Sequence, residues 1–188
     1  MSRLTEKAIC DSFLKLLEER PFAKIKVKDI VEDCGINRNS FYYHFQDIPS
    51  LLERIIQEDC DRIIREYPRL DSFSECLDMA FRFVYAHKKA AMHIYESVNR
   101  DVFEDYLWRL SEYAITRYLD TVLAGRAIRG SDRDLLVRYM VCECFGIAMG
   151  MVREGMKELP AEDLERLKAL RLGQAEQMIE RCVKDAAN

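Results

Sequence analysis

The sequence predicts an all-α protein, and three observations support that prediction. Gly and Pro are scarce, with 7 and 4 among 188 residues, so long stretches carry no turn signal. Leu, Glu, Arg, Ala and Met, which favour helices, are abundant. Apolar residues recur at the spacing of amphipathic helices, while the Gly-rich turns and β-branched strands of an α/β enzyme are missing. We expect about nine helices, three in an amino-terminal helix-turn-helix domain followed by a helical bundle.

The first three helices form the most informative part of the chain. The first is predicted from Ser2 to about Glu19 and is ended by Pro21. The second runs from Val27 to about Cys34, where Gly35 closes it in the left-handed conformation. Asn37 is a favourable N-cap for the third, from Arg38 to about Phe45. Two short helices joined by a turn that contains Gly indicate a helix-turn-helix.

The third helix has a core side and a polar side. Phe41 and Phe45 share one face and belong to the core. The remaining positions carry side chains suited to nucleic acid: Arg and Asn read base edges, whereas Tyr, His and Ser suit phosphate oxygens. The alternative is a solvated face whose aromatic residues fill a domain boundary. The residues concerned are Arg38, Asn39, Ser40, Tyr42, Tyr43 and His44.

These residues carry a family resemblance. Ile25 to Ile30 and Cys34 to Phe45 resemble the DNA-binding signature of the TetR (TetR/AcrR) family of bacterial transcriptional regulators. The aromatic run at the end of the third helix is its most specific part, and the match covers about residues 5 to 55. More narrowly, Phe41 to Asp47 resembles the subset that includes activators of dihydroxyacetone-kinase operons. Ile48 departs from the pattern, because the family often has a phosphate-binding Lys there.

The resemblance implies a regulator, expected to be a repressor, that binds double-stranded operator DNA as a homodimer on a palindrome. It implies DNA binding by residues 1–48, and effector binding and dimerisation by residues 49–188. The effector is a small molecule or a protein. Expected base contacts are Lys28, Arg38, Asn39 and Tyr43, and expected phosphate contacts are Lys26, Ser40, Tyr42 and His44.

Six further helices are predicted after residue 48. Their boundaries come from apolar spacing and from capping signals, among them a capping box at Ser72 to Glu75. The predicted helices are Pro49 to Glu66, Phe73 to His87, Lys88 to Val98, Asp101 to Ala124, Ser131 to Met156, and Pro160 to Val183.

The eighth helix contains a candidate interface. Gly146 and Gly150 lie four residues apart on one face, and each Gly inside a helix costs about 1 kcal/mol. Close approach of another helix would compensate for that cost. In the family the last two helices pair with their twofold mates, which predicts that the two glycines lie at the dimer interface. The alternative is a close contact inside one protomer.

Helices five to eight also carry aromatic, Met and His side chains suited to an effector pocket, although Met and aromatic residues at helical spacing more often belong to an ordinary core. His87 and His93 are six residues apart, which is poor spacing for one metal ion, so no metal or cofactor is predicted. The pocket candidates are Tyr85, His87, Met92, His93, Tyr95, Trp108, Tyr139, Phe145 and Met149.

Other classes of protein find less support in the sequence. No nucleophile elbow, P-loop, dinucleotide fingerprint or metalloprotease motif is present, so we do not expect an enzyme. No uninterrupted apolar run approaches the roughly 18 residues of a membrane span, and the first residues do not resemble a secretory signal, so a cytoplasmic protein without a membrane span is expected. The seven cysteines are expected to be small buried side chains and not disulfides. Residues 1–48 carry 8 basic and 8 acidic side chains, and residues 49–188 carry 21 and 25. This neutral amino-terminal part leaves open a protein-interaction adaptor with weak or lost DNA binding.

Overall fold

A computed structural model describes residues 2–69, 73–98, 100–158 and 160–186. These residues form ten α-helices, one 3-10 turn and no strand, which confirms the all-α prediction. The elements are α1 (Ser2–Glu19), the 3-10 turn (Phe22–Lys24), α2 (Val27–Asp33), α3 (Arg38–His44), α4 (Ile48–Glu66), α5 (Phe73–Ala86), α6 (Lys88–Tyr95), α7 (Arg100–Val122), α8 (Gly130–Arg153), α9 (Ala161–Arg171) and α10 (Gln174–Ala186).

The last predicted helix is in fact two helices. The backbone leaves the helical region at Leu172, with ψ 124°, and Gly173 has φ +81° before α10 begins. Apolar spacing continues across this break, which is why the pattern predicted one helix. The predicted capping box before α5 begins at Ser72, which lies outside the described residues.

The three amino-terminal helices surround a core of their own. The side chains of Ile9, Phe13, Ile30 and Phe41 are fully buried there. α1 is tied to α2 by the Ser12 hydroxyl, which donates to the Ile30 carbonyl at 3.2 Å. This cluster extends beyond residue 48, because Leu51, Leu52 and Ile55 of α4 and Ala90 of α6 also belong to it.

The rest of the chain packs around α7. α8 lies along one side of α7 and α4 along another, and α5 and α10 complete the second apolar cluster. Leu119 of α7, Met140 and Val141 of α8 and Ile179 of α10 are its most deeply buried members. A third cluster lies at the carboxyl end of α8, around Phe103, Met149 and Met156.

α4 connects the first two clusters. Its amino-terminal half contributes to the first core and its carboxyl-terminal half, through Ile63 and Ile64, to the second. Asp61 of α4 accepts hydrogen bonds from Tyr113 and Arg117 of α7, at 3.1 and 3.2 Å. α4 therefore joins the amino-terminal helices to α7.

α8 is the one helix in the described part of the chain that is long and apolar enough to cross a membrane by length and composition. The core or interface helix of a globular protein meets the same criterion, so this is weak evidence for a span. Only 33% of its most apolar stretch is buried within the protomer. The remaining apolar surface of α8 needs another explanation.

Candidate functional site

The turn between α2 and α3 has the geometry that its residues predict. Gly35 has φ +70°, the left-handed conformation that Gly adopts without strain. Asn37 caps α3, because its Oδ1 accepts from the backbone N–H of Ser40 at 2.8 Å and from the Ser40 hydroxyl at 3.1 Å. These bonds fix the amino terminus of α3, where a recognition helix contacts base edges.

Two phenylalanines hold α3 against the core. Phe41 is fully buried and Phe45 nearly so, with their rings 5.9 Å apart. The Tyr42 ring stands edge-on to Phe41 at 5.5 Å, and the His44 ring contacts Tyr43 in the same way at 5.1 Å. The packed side of α3 therefore fixes the direction in which its aromatic polar residues point.

The opposite side of α3 faces solvent. Arg38 and Asn39 are exposed, and Tyr42 and Tyr43 expose 56% and 79% of their surface. Tyr43 is the most exposed large apolar side chain in the described part of the chain, and burying so much aromatic surface on contact is strongly favourable. Ser40 and His44 are half-buried at the edge of this face.

Basic residues next to α3 add positive charge. Lys26 and Lys28 at the start of α2 are exposed, and Lys28 lies 3.6 Å from Glu32 in a solvent-exposed ion pair. Such a pair contributes little to stability, so Lys28 can exchange Glu32 for a phosphate at small cost. Asp29 accepts from the backbone N–H of Lys26 at 2.9 Å and fixes the start of α2.

Ile48, at the position where the family often has Lys, is the first residue of α4. Its half-buried side chain packs against the amino-terminal core. Asp47 caps α4 by accepting from the backbone N–H of Ser50 at 2.8 Å. The start of α4 therefore offers a capped helix terminus to DNA and no cation at this position.

The two glycines of α8 lie on a solvent-facing stripe. Leu135 and Tyr139 expose 65% and 53% of their surface, and Cys142 and Gly146 continue the same face at spacings of three and four residues. A side-chain carbon placed on Gly146 or Gly150 would meet no atom of the described protomer within 4 Å, beyond its own helical turns. A close contact inside the protomer therefore does not explain the glycines.

A cavity of about 260 Å³ lies between α1, α4, α5, α6, α7 and α8. Its lining is almost entirely carbon. Leu14 and Leu17 of α1 form one side, which sequence analysis did not anticipate. Periodicity shows that an apolar side chain is buried, but it does not distinguish one that borders a void from one that fills a core.

Of the nine side chains predicted for an effector pocket, the structure brings His87 to this cavity. Trp108 stands edge-on to Phe145 at 5.5 Å, Tyr139 is exposed, and Nδ1 of His93 lies 2.7 Å from the Leu17 carbonyl. The others pack in the third cluster, as ordinary core: Tyr85, Met92, Tyr95, Phe145 and Met149.

His87 and His93 have partners within the protein, and every cysteine except Cys142 is buried or half-buried. Nδ1 of His87 lies 3.2 Å from Glu18 of α1. No group of three or more His, Cys, Asp or Glu placed to hold a metal occurs among the described residues. All seven cysteines are free thiols, and burial raises the pKa of Cys10, Cys60 and Cys144 to about 12.

Comparison with known proteins places this geometry in context. A family model described as bacterial regulatory proteins, tetR family, matches residues 9–55. A second, described as transcriptional regulator C-terminal region, matches residues 71–173. The two together span the helix-turn-helix and most of the helical body.

Individual relatives match over shorter stretches. The dhaKLM operon transcriptional activator DhaS of Lactococcus lactis is 32% identical over 65 residues, which cover 35% of each chain. The transcriptional regulator EthR of Mycobacterium tuberculosis is 37% identical over 57 residues, covering 28% of this chain and 26% of EthR. These alignments thus span about a third or less of the relatives' length.

A solved structure of the dihydroxyacetone kinase operon activator DhaS shares the fold over almost the whole chain. It aligns with a TM-score of 0.60 at 18% sequence identity, covering 97% of this chain and 96% of DhaS. At this identity the likeness concerns the arrangement of helices and not the residues that line any site.

Proposed function

Because the chain belongs to the TetR family of bacterial regulatory proteins and is a DNA-binding transcriptional regulator, we propose that it acts as a homodimer on a palindromic operator and responds to an effector. Residues 1–48 read the DNA in this proposal. Residues 49–188 bind the effector and hold the dimer together. The protein works in the cytoplasm, where its operator is.

The observation that carries the proposal is the division of α3 into two sides. Phe41 and Phe45 anchor the helix, while Arg38, Asn39 and Tyr43 point outward from a capped amino terminus. We assign base contacts to those three residues and to Lys28. Phosphate contacts fall to the residues at the edges of this face, which are Lys26, Ser40, Tyr42 and His44.

The solvent-facing stripe of α8 supports the dimer. Its glycines have no packing role inside the protomer, and the exposed side chains beside them are apolar. α9 adds Leu167 and Leu170, both exposed. Pairing α8 and α9 with their twofold mates buries this surface and places two α3 helices on one side of the dimer, to enter successive major grooves about 34–36 Å apart.

The effector site in this proposal is the apolar cavity, and α4 couples that site to the DNA-binding helices. α4 lines the cavity from Leu52 to Ile64 and also belongs to the amino-terminal core. A ligand that binds more tightly when α4 is in one of its two positions increases the population of that state, and this changes the spacing of the two α3 helices. The difference in affinity for the two states sets the size of the population shift.

We expect repression as the direction of control, because a dimer bound across a promoter excludes polymerase from it. One relative is named an activator, so the experiment must also determine whether binding represses or activates transcription. A protein-interaction adaptor is the second candidate. It is favoured by Ile48 and by the equal numbers of basic and acidic side chains in residues 1–48.

In vitro selection of bound duplexes from a random library tests the proposal, with Tyr43→Ala run in parallel. We expect a palindrome with the wild-type protein and loss of enrichment with the variant, since Tyr43 is exposed and supports no core. A reporter that carries the selected site then shows whether binding lowers or raises transcription.

Phe103→Leu, a change in a distant apolar cluster, is the matched control and should leave selection unchanged. A folded, dimeric wild-type protein that enriches no sequence at any salt concentration would overturn the regulator proposal and favour the adaptor.

A further inference from the structure

The cavity is long for its volume. Along α4 its lining extends from Leu52 to Ile64, which is about 18 Å at the helical rise of 1.5 Å per residue. A volume of about 260 Å³ spread over that length makes an elongated cavity, called the channel below. A channel of this shape fits one extended chain better than a fused-ring molecule.

The lining offers a ligand almost no polar atom. The few polar side chains that reach it already have partners within the protein, so a charged ligand group would find no free counter-charge there. The Ser111 hydroxyl donates to the Leu107 carbonyl at 2.9 Å, the Tyr118 hydroxyl donates to the Arg69 carbonyl at 3.2 Å, His87 lies 3.2 Å from Glu18, and Asp59 accepts from Arg62 at 2.5 Å.

The three thiols of the lining, Cys60, Cys76 and Cys144, do not change this character. The Cys76 thiol donates to the Tyr67 carbonyl at 3.6 Å. Burial raises the pKa of Cys60 and Cys144 to about 12, so both are neutral at physiological pH. Apolar cavities of about 150 Å³ stay dry and accept apolar guests, and the present cavity is larger. The chemistry of the walls therefore selects hydrocarbon.

One wall of the channel belongs to the DNA-binding part of the protein. Leu14 and Leu17 of α1 line it, and Leu17 is also a member of the amino-terminal core. Nδ1 of His93 on α6 lies 2.7 Å from the Leu17 carbonyl and links that wall to α6. A ligand in the channel therefore contacts α1 directly, without an intervening helix.

We propose that this channel binds a neutral ligand with one long hydrocarbon chain, of the fatty alcohol or ester type, and that its contact with α1 changes DNA affinity. The ligand class follows from the channel alone. The effect on DNA rests on the proposed function.

The probes are straight-chain primary alcohols of six to sixteen carbons, titrated by calorimetry against the full chain without DNA. Each added CH2 should lower Kd about fourfold, the equivalent of about 0.8 kcal/mol, until the chain fills the channel and the gain stops. Alkanoates and terminal diols of equal length should bind at least tenfold more weakly, because they bring a charge or a second hydroxyl into carbon surroundings.

Two variants locate the binding site. Ala114→Leu on α7 and Ala80→Leu on α5 each add three carbons to the lining, so the chain length at which the gain stops should fall by about three carbons. Ala124→Leu, at an exposed position after α7, is the matched control and should leave that length unchanged. General destabilisation of the protein would not shorten the chain length at which the affinity stops rising. A folded form of either lining variant is therefore enough to locate the site.

The outcomes separate the two proposals. A Kd independent of chain length, or tighter binding of alkanoates, overturns the hydrocarbon ligand whatever the DNA experiment shows. Alcohols that bind with the expected length dependence but leave affinity for a selected DNA site unchanged overturn the role of α1. If no DNA site is ever selected, the proposed function fails, while the titrations still decide the ligand class.

Discussion

Each side chain of α3 has one of two roles, and neighbouring residues in the sequence have different ones. Phe41 is completely buried, whereas Tyr42 and Tyr43 beside it expose more than half of their surface. Phe41→Ala would remove a large buried side chain and lower the free energy of unfolding by about 3–5 kcal/mol. Such a change would weaken DNA binding by unfolding the protein and not by removing a DNA contact. Changes at the exposed residues separate recognition from folding.

Arg38→Ala should lower affinity for the selected operator by about 1–3 kcal/mol and relax preference at one base pair, if Arg38 makes a two-point contact to guanine. Competition binding against operators with single base-pair changes measures both effects. Arg181→Ala removes an exposed arginine from α10 and should change neither. Lower affinity with an unchanged base preference would reject the base contact and indicate a phosphate contact.

The buried thiols predict a loss of stability in alkali. Burial raises the pKa of Cys60 and Cys144 from 9.0 to about 12, so the unfolded chain loses these protons at a lower pH than the native protein. The two thiols make their full contribution to the free energy of unfolding below pH 9. This contribution falls as pH rises toward 12, by up to about 1.4 kcal/mol per pH unit for each thiol.

Urea unfolding at several pH values from 7 to 10.5 measures this loss. Cys60→Ala with Cys144→Ala should give a shallower decline than the wild type, and Cys142→Ala, at an exposed position, should not. Equal slopes for all three proteins would show that the thiols titrate normally.

At the scale of elements, the boundaries around the turn before α3 followed from local chemistry. Asn37 and Gly35 define this turn as the sequence predicts. The start of α8 did not follow in this way, because it begins at Gly130 after Arg129, which makes no side-chain cap, and not at the capping signal predicted at Ser131. The boundary between α9 and α10 was missed, because Gly173 lies in a continuous apolar pattern. A Gly inside a helix and a Gly that ends one look alike until φ is known.

α8 is the element whose role inside the protomer is incomplete. Gly150→Leu adds a side chain to this stripe at a position where a Cβ meets no atom of the described protomer within 4 Å beyond its own helical turns, so folding should be unaffected or slightly stabilised. Sedimentation should shift toward monomer if this stripe is the dimer interface. Gly130→Leu, at the exposed start of α8, is the control and should stay dimeric. A folded Gly150→Leu dimer would place the interface elsewhere.

Cavities are hard to predict at this scale. The sequence indicated that helices five to eight carry large aromatic and Met side chains, and most of these fill the third cluster. The cavity is bordered mainly by Leu, Ile and Ala of several helices, together with other aromatic side chains, among them Phe73, Phe81 and Tyr118. None of these residue types marks a cavity in the sequence. Where a void lies depends on how far apart the helix axes are, and no single helix encodes that distance.

Across the whole molecule, charge is distributed so that the DNA-binding end is neutral and the remainder acidic. In the proposed interface, specific binding depends on a few well-placed cations, such as Lys26 and Arg38, and not on a general positive field. Acidic surface elsewhere disfavours non-specific contact with phosphate. We therefore expect strong discrimination between operator and random DNA.

Lys26→Gln should reduce the slope of log K against log salt by about 2 for the dimer, since one phosphate contact is lost in each protomer. Affinity should fall by a similar factor on all sequences. Lys89→Gln, an exposed lysine at the start of α6, is the control and should leave the slope unchanged. A slope that Lys26→Gln does not alter would remove Lys26 from the interface.

The participation of α4 and α6 in the amino-terminal core has a consequence for engineering. A chimera that exchanges DNA specificity by joining two regulators after residue 48 would separate Phe13 and Phe41 from Leu51 and Ala90, with which they share a cluster. The core of such a hybrid would combine side chains from two proteins that do not pack together, which would lower its stability whatever its DNA contacts. Exchanging only the outward residues of α3 leaves every buried contact in place, and so is the sounder route to a regulator with a new operator.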